Sequence, residues 1–395
     1  MSKSALVFGA SGVTGWAFVN EILHDYPRKG IWSRVHALTN RPLPREASLW
    51  PDDARLNIAS GIDLLAGSQQ DLESALQDNI PDIESVTHAF YLAYKAQGDV
   101  DAELEENVAM FIRATTALDH LSPALEFVSL QTGAKHYGCH LLENHPTDDI
   151  RVPLAESMPR LKQPHHDKLF YYPQLDWLKD YAADKKWYWN DTRPDIIIGF
   201  VLIQNFYSLG TVLSVYFSLW RELHGEGAEC PFPGTTQSWQ ALSIDSSSDM
   251  IARQKIHVTL TPPWREHKGE AFNVADARTP SSWQTKWAAL CTYFGLKSVK
   301  LEEDNPVEVR SFIKANLGTW ETMEKKYKLQ SGHADNSRIV SGFEYFFLTQ
   351  FDFDRQYDMS KMYGTGFTEE RSTSQAWGGV FDRMREAKII PASFT

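Results

Sequence analysis

Gly9-Ala10-Ser11-Gly12-Val13-Thr14-Gly15 decides the fold of this chain, because of what stands on either side of it. Before it, Ala5-Leu6-Val7-Phe8 is a short apolar run suited to a buried strand, and after it the stretch from Trp16 to Leu23 has helical apolar spacing. Strand, glycine turn and helix in that order bring a backbone close to the phosphates of a dinucleotide. The helix N-terminus receives them, since its unpaired N–H groups and its dipole favour anions. Gly9, Ser11, Gly12 and Val13 are therefore the expected phosphate-binding residues.

Working outward, the alternation continues. Arg34 to Thr39 and Leu56 to Ser60 read as second and third strands, and Leu72, Ala75 and Leu76 mark the apolar face of a helix. Val86 to Tyr91 reads as a fourth strand and Leu125 to Leu130 as a fifth. Between them Leu104, Val108, Phe111, Ala114 and Leu118 fall at steps of three and four on one helix face. Repeated units of this size imply an α/β fold, a doubly wound parallel sheet of Rossmann type over residues 1–200. Beyond Phe200 the alternation stops. Aromatic-rich, helix-like segments follow, with Trp239, Trp283, Trp287, Trp320 and the run Phe343-Glu344-Tyr345-Phe346-Phe347, so residues 201–395 are expected to form a mainly helical substrate-binding lobe. Ala271-Phe272-Asn273-Val274-Ala275 is the exception, a late strand expected to return to the sheet near residues 271–276.

Composition removes several classes of function. The formal net charge of -12, without a basic stripe, disfavours a nucleic-acid partner. Cys139, Cys230 and Cys291 are too few and too widely spaced for a disulfide framework, which fits a reducing, cytoplasmic setting. Ile196 to Trp220 holds no charged residue and is long enough to cross a bilayer. It divides, however, into a β-rich run, Ile196 to Phe200, and a helix-like run, Leu209 to Trp220, with Gly199, Gln204, Asn205, Ser208, Gly210 and Ser218 spread between and within them. We read it as a buried strand followed by a helix between lobes, with no membrane partner.

The glycines of the opening motif fall at positions one, four and seven, the spacing of short-chain dehydrogenases. The second strand ends in Ala37-Leu38-Thr39-Asn40-Arg41-Pro42, without the carboxylate that would bind a ribose diol and repel a 2′-phosphate. Arg41, next to Asn40, can pair with that phosphate through its fork of donors, so the expected cofactor is NADPH. Asp63 and Leu64, just after the third strand, are candidates for the adenine edge, although Asp in a loop also serves turns.

Tyr and Lys four apart on a helix form the usual catalytic pair of these enzymes, and four such spacings occur: Tyr91 and Lys95, Tyr181 and Lys185, Tyr293 and Lys297, Tyr357 and Lys361. The first lies at a strand end, where four residues span about 13 Å of backbone and the helical neighbour relation is lost. The last two are outside the nucleotide half. Tyr181 and Lys185 sit on the right helix but about two turns past its start, away from the strand ends where ligands bind. What stands near those ends is Val128-Ser129-Leu130-Gln131-Thr132-Gly133-Ala134-Lys135-His136-Tyr137, followed downstream by Met158-Pro159-Arg160-Leu161 and by Leu169-Phe170-Tyr171-Tyr172.

With these segments the chain resembles the progesterone 5β-reductase and iridoid synthase family, atypical short-chain dehydrogenases of the extended type whose Lys lies on the loop after the fifth strand. Further matches are Arg193-Pro194 before Ile198-Gly199-Phe200, Pro231-Phe232-Pro233-Gly234 before Trp239, and Ala271-Phe272-Asn273. The resemblance implies Tyr172 as the phenol that meets the substrate oxygen, Lys135 as its electrostatic partner, and Gln131 and Ile197 beside the nicotinamide. It also implies hydride transfer from NADPH to the β-carbon of an α,β-unsaturated carbonyl. Reduction of a ketone or aldehyde, and a non-catalytic NADP-binding redox sensor, are the rival readings.

Three departures stand out: Asn40 where the family has Arg, Pro173 after the Tyr pair, and Val201-Leu202 where Ser-Pro is usual. Pro173 suits a first helical position and biases Tyr172 toward an extended conformation just outside the helix. His136, Cys139, His140 and His145 lack paired metal-ligand spacing, so no metal is expected. His165-His166-Asp167 reads as a polar loop. Phe343 is the candidate wall residue for an apolar, small-molecule carbonyl substrate. A homodimer is compatible with the sequence.

Overall fold

The computed structural model describes residues 2–142, 150–201, 208–300, 308–334 and 343–394. Seven strands form one parallel sheet: β1 (Lys3–Phe8), β2 (Trp32–Thr39), β3 (Leu56–Ser60), β4 (His88–Tyr91), β5 (Phe127–Gln131), β6 (Tyr188–Pro194) and β7 (Lys268–Val274). Their spatial order is β7-β6-β5-β4-β1-β2-β3, so the chain reverses direction across the sheet between β1 and β4. That reversal opens the crevice where ligands bind in such sheets.

A sheet covered on both faces needs apolar side chains at both parities of each strand. In β1, Ala5 and Val7 enter one core cluster and Leu6 and Phe8 the other. The cluster of Leu6 and Phe8 joins helices α2 (Gln69–Asn79), α3 (Val100–Leu121) and α4 (Tyr171–Tyr181) through Leu72, Phe111, Leu118 and Leu178. The cluster of Ala5 and Val7 holds α1 (Val13–Leu23) and runs without a break into Trp239, Trp287, Trp320 and Trp377 of the second half.

One strand stands elsewhere than the apolar run suggested. Ile196 to Phe200 contributes only Ile197–Ile198, paired with Ser246–Ser247, whereas the sheet strand is the polar segment just before it. Asn190, Asp191, Thr192 and Arg193 are all buried in β6, and most of their polar atoms are paired with one another or with neighbours, the Asn190 Nδ2 being left without a partner among the described residues. Ser129 donates to Asn190 at 2.5 Å, Thr132 to Asp191 at 2.6 Å, and Arg193 to the other Asp191 oxygen at 2.7 Å. Paired in this way, buried polar groups avoid the desolvation cost that a hydrophobicity pattern assumes.

The strand β7 lies beside β6 at the sheet edge, so residues far along the chain complete the sheet. Among the described residues no helix is long and apolar enough to cross a membrane. The helix Leu209–His224, which carries the second part of the uncharged stretch, is buried from Leu209 through Leu219.

Candidate active site

The glycine loop is shaped by contacts that leave no room for side chains. Gly9 has φ +78°, and a Cβ there would stand 2.8 Å from the Ala93 backbone nitrogen. A Cβ on Gly15 would stand 2.1 Å from the Gly9 carbonyl oxygen. The loop is thus pressed against the chain after β4, and α1 begins at Val13 with Gly12 as its cap and no side chain closing its N-terminus. Gly9, Ser11, Gly12, Val13 and Thr14 line one end of a cavity of about 1020 Å³.

Asn40 and Arg41, at the end of β2, and Leu64, after β3, line the same end. Asp63 does not: its carboxylate accepts the Leu65 N–H at 2.9 Å and shapes the turn, so of its two expected roles the structure gives it the local one. Gln131 and Ile197 also line the cavity. Gln131 donates through Nε2 to Thr14 Oγ1 at 3.1 Å, while its Oε1 is buried without a partner. An uncapped helix N-terminus, a loop whose glycines leave its backbone open to close approach, and an orphaned amide oxygen are the features a nicotinamide dinucleotide fits.

After β5 the chain enters a short 3-10 turn, Ala134–Tyr137, which carries Lys135 into the cavity. The Lys135 side chain is 38% exposed, but to the cavity, and burial lowers its pKa below that of an ordinary amine. Helix α4 supplies the phenol, and here the structure departs from the sequence reading. Tyr172 is fully buried off the cavity: its Oη accepts the Leu161 N–H at 2.9 Å and donates to the His136 carbonyl at 3.0 Å. Tyr171 is the residue on the cavity wall, with its Oη 3.4 Å from where a Gly133 Cβ would stand. Both residues are helical, since α4 starts at Tyr171 and Pro173 falls third in it, where a missing N–H costs no intrahelical bond. Consecutive helical side chains point about 100° apart, so only one of the two can face the cavity.

The pair Tyr181 and Lys185 is structural. Both donate to Asp119 Oδ2, at 2.8 and 2.6 Å, and Trp187 donates to the other oxygen at 2.7 Å. His136 and His140 are held neutral by burial, each with its pKa pushed down to about 3, and burial pushes the Cys139 thiol up to about 12. His145 and Leu202 lie outside the described residues, among which no group of three His, Cys, Asp or Glu is placed to hold a metal.

Part of the cavity lining is aromatic. Tyr94 and Phe170 stack with centroids 5.7 Å apart, and Tyr345, Phe346, Phe347 and Phe351 from the second half line the same cavity. The side chain of Phe343 lies outside the described residues, so the wall belongs to its neighbours in the same run. The Arg355 guanidinium backs this wall, 3.8 Å from the Phe351 centroid and 3.7 Å from Asp195. No spacing rule marks Tyr171, Tyr94 or Phe351; the aromatic richness of the segment around Phe346 was the one signal available.

A short chain dehydrogenase of Aspergillus calidoustus is 35% identical over 398 residues, covering 99% of this chain and 95% of that protein. A 3-oxo-Delta(4,5)-steroid 5-beta-reductase of Arabidopsis thaliana is 28% identical over 391 residues, covering 98% of this chain and 93% of that protein. Among solved structures, an epimerase from Methanothermobacter thermautotrophicus superposes with a TM-score of 0.64 at 12% identity, over 98% of this chain and 93% of that one, which speaks for the fold. A family model described as a PRISE-like Rossmann-fold domain matches residues 5–391. The match takes in the glycine loop, the Lys135 turn, the helix of Tyr171 and the late strand β7 together, and on that ground the chain belongs to the PRISE-like Rossmann-fold family.

Proposed function

We propose that this protein is an NADPH-dependent reductase that delivers hydride to the β-carbon of an α,β-unsaturated carbonyl compound. The observation that carries this reading is the continuity of one cavity, from the glycine loop and Arg41, past Lys135 and Tyr171, to an aromatic wall. The Arabidopsis thaliana relative, a 3-oxo-Delta(4,5)-steroid 5-beta-reductase, supports the same chemistry. Three free, buried cysteines fit a reducing cytoplasm.

The nicotinamide, when bound, supplies the hydride. Gly12 and the start of α1 would hold its pyrophosphate, Arg41 the 2′-phosphate, and Gln131 and Ile197 the nicotinamide end. Tyr171 donates a hydrogen bond to the substrate oxygen, which gains negative charge as the enolate forms. The Lys135 ammonium stabilises that charge and strengthens the phenol as a donor. The aromatic wall contributes apolar surface against the substrate and keeps water from the reacting carbon.

Incubation with NADPH and a panel of small enones, large enones and saturated ketones tests the reading. A saturated carbonyl product identified by mass spectrometry supports it. Alcohols formed from the ketones, with enones left untouched, would overturn it in favour of carbonyl reduction.

A further inference from the structure

Lys135 reaches the cavity on the turn after β5, yet the charge facing it comes from a different element. Glu103 stands in the first turn of α3, where the helix dipole favours a carboxylate. Its Oε1 accepts a hydrogen bond from Tyr94 Oη and lies 3.9 Å from Lys135 Nζ. The Tyr94 ring also faces that ammonium, with Nζ 5.9 Å from its centroid, and is itself held by stacking on Phe170 at an interplanar angle of 18°. Glu103 is 17% exposed, so its charge is only partly screened by solvent.

The separation matters as much as the pairing. At 3.9 Å the carboxylate is beyond hydrogen-bond length but still within strong Coulombic range. Among the described residues Lys135 Nζ makes no hydrogen bond, so its three N–H donors remain available to whatever occupies the cavity. A shorter salt bridge would have used one of them.

We propose that Glu103, fixed by Tyr94, is the positioning residue that keeps Lys135 protonated and aimed into the cavity. This rests on Lys135 being the cation of the site described above. Burial works against the Lys135 charge and Glu103 works for it. Among the described residues the other groups around the ammonium supply no compensating charge. Tyr171 on α4 shares the cavity wall, His140 in the following loop is neutral, and Lys95 is paired to Glu106 at 3.0 Å.

Acetylation of Lys135 by acetic anhydride, followed by mass spectrometry across a pH series in the full-length protein without cofactor, reads the free-amine fraction directly. In Glu103→Gln, Lys135 is expected to acetylate about tenfold faster than in wild type at a fixed pH below the wild-type midpoint. In Glu103→Asp, which keeps the charge, most of that gain is lost. The alkaline limb of kcat/KM for an enone moves to lower pH in Glu103→Gln and back in Glu103→Asp. Labelling and limb in Glu103→Gln that coincide with wild type would overturn the proposal. Lys135→Met separates the two readings. If it retains wild-type turnover, the active-site reading falls; if it loses turnover while Glu103→Gln labels and titrates as wild type, only the role of Glu103 falls.

Discussion

Tyr171 and Tyr172 are neighbours in the chain and opposites in the structure: the first lines the cavity beside Gly133, and the second spends its hydroxyl on Leu161 and His136. The two phenols therefore make separable predictions. Tyr171→Phe should lower enone turnover by roughly 10²- to 10³-fold, the range for removal of one donor to a developing oxyanion, with dinucleotide affinity little changed. Tyr172→Phe should instead cost about 1–3 kcal/mol of stability, because a partly buried N–H and a buried carbonyl lose their partner. Steady-state rates and denaturant melts on both variants decide it, and a larger rate loss in Tyr172→Phe would return the catalytic role to that residue.

Arg41 lines the cavity at the end of β2, where no carboxylate competes for the ribose. Arg41→Ala is expected to weaken NADPH binding by roughly 10- to 100-fold, as loss of a charge-assisted hydrogen bond does, and to leave NADH binding near its wild-type value. Calorimetric titration with both cofactors measures the ratio; equal losses for the two would place the 2′-phosphate elsewhere.

The glycine loop offers a contrast between space for ligand and space for protein. At Gly12 the nearest atom to an added Cβ is the Gly9 carbonyl oxygen at 3.1 Å, and φ is -77°, which any residue adopts. Gly12→Val should fold and fail to bind a dinucleotide, since its methyl groups occupy the phosphate cradle. Gly15→Val should not fold, because its Cβ meets the Gly9 carbonyl oxygen. Circular dichroism beside cofactor titration tests both, and tight cofactor binding by Gly12→Val would move the cradle.

Two histidines in the sheet set an acid limit on stability. Burial lowers the pKa of His36 and of His88 from 6.5 to about 4, so both are neutral when folded and take up protons on unfolding. Their contribution is fully present above pH 6.5 and is lost as the pH falls toward 4, since protons then bind the unfolded chain preferentially. For the fully buried His88 the loss amounts to about 3 kcal/mol at most. Melting temperature should drop across this interval, with proton uptake on unfolding; a flat profile would show that these rings titrate in the folded state as they do in the unfolded chain.

How far the sequence alone could be read depended on whether the deciding interactions were local. The glycine loop, its flanking strand and helix, and the pattern Leu104, Val108, Phe111, Ala114 and Leu118 were legible because burial follows a short period along one element. The strand β6 was not, because Asn190, Asp191 and Arg193 are buried through partners on β5, on its following turn and within β6. The choice between Tyr171 and Tyr172 depends on the start of α4 to within one residue, finer than spacing rules resolve. The resemblance pointed to Lys135, which the structure places on the cavity lining. Glu103 was not legible, because the contact between α3 and the turn after β5 exists only in three dimensions.

The edge strand β7 has a consequence for how the chain is made and cut. Until residue 274 has left the ribosome, β6 has no partner on its outer side, and a nascent chain ending near residue 200 presents that edge to any other strand it meets. Gene fragments that stop after β6 should therefore aggregate however good the cofactor loop is. A split version of this protein, made as two pieces for reassembly, is better divided at a surface loop after residue 274 than at the point where the strand and helix alternation ends.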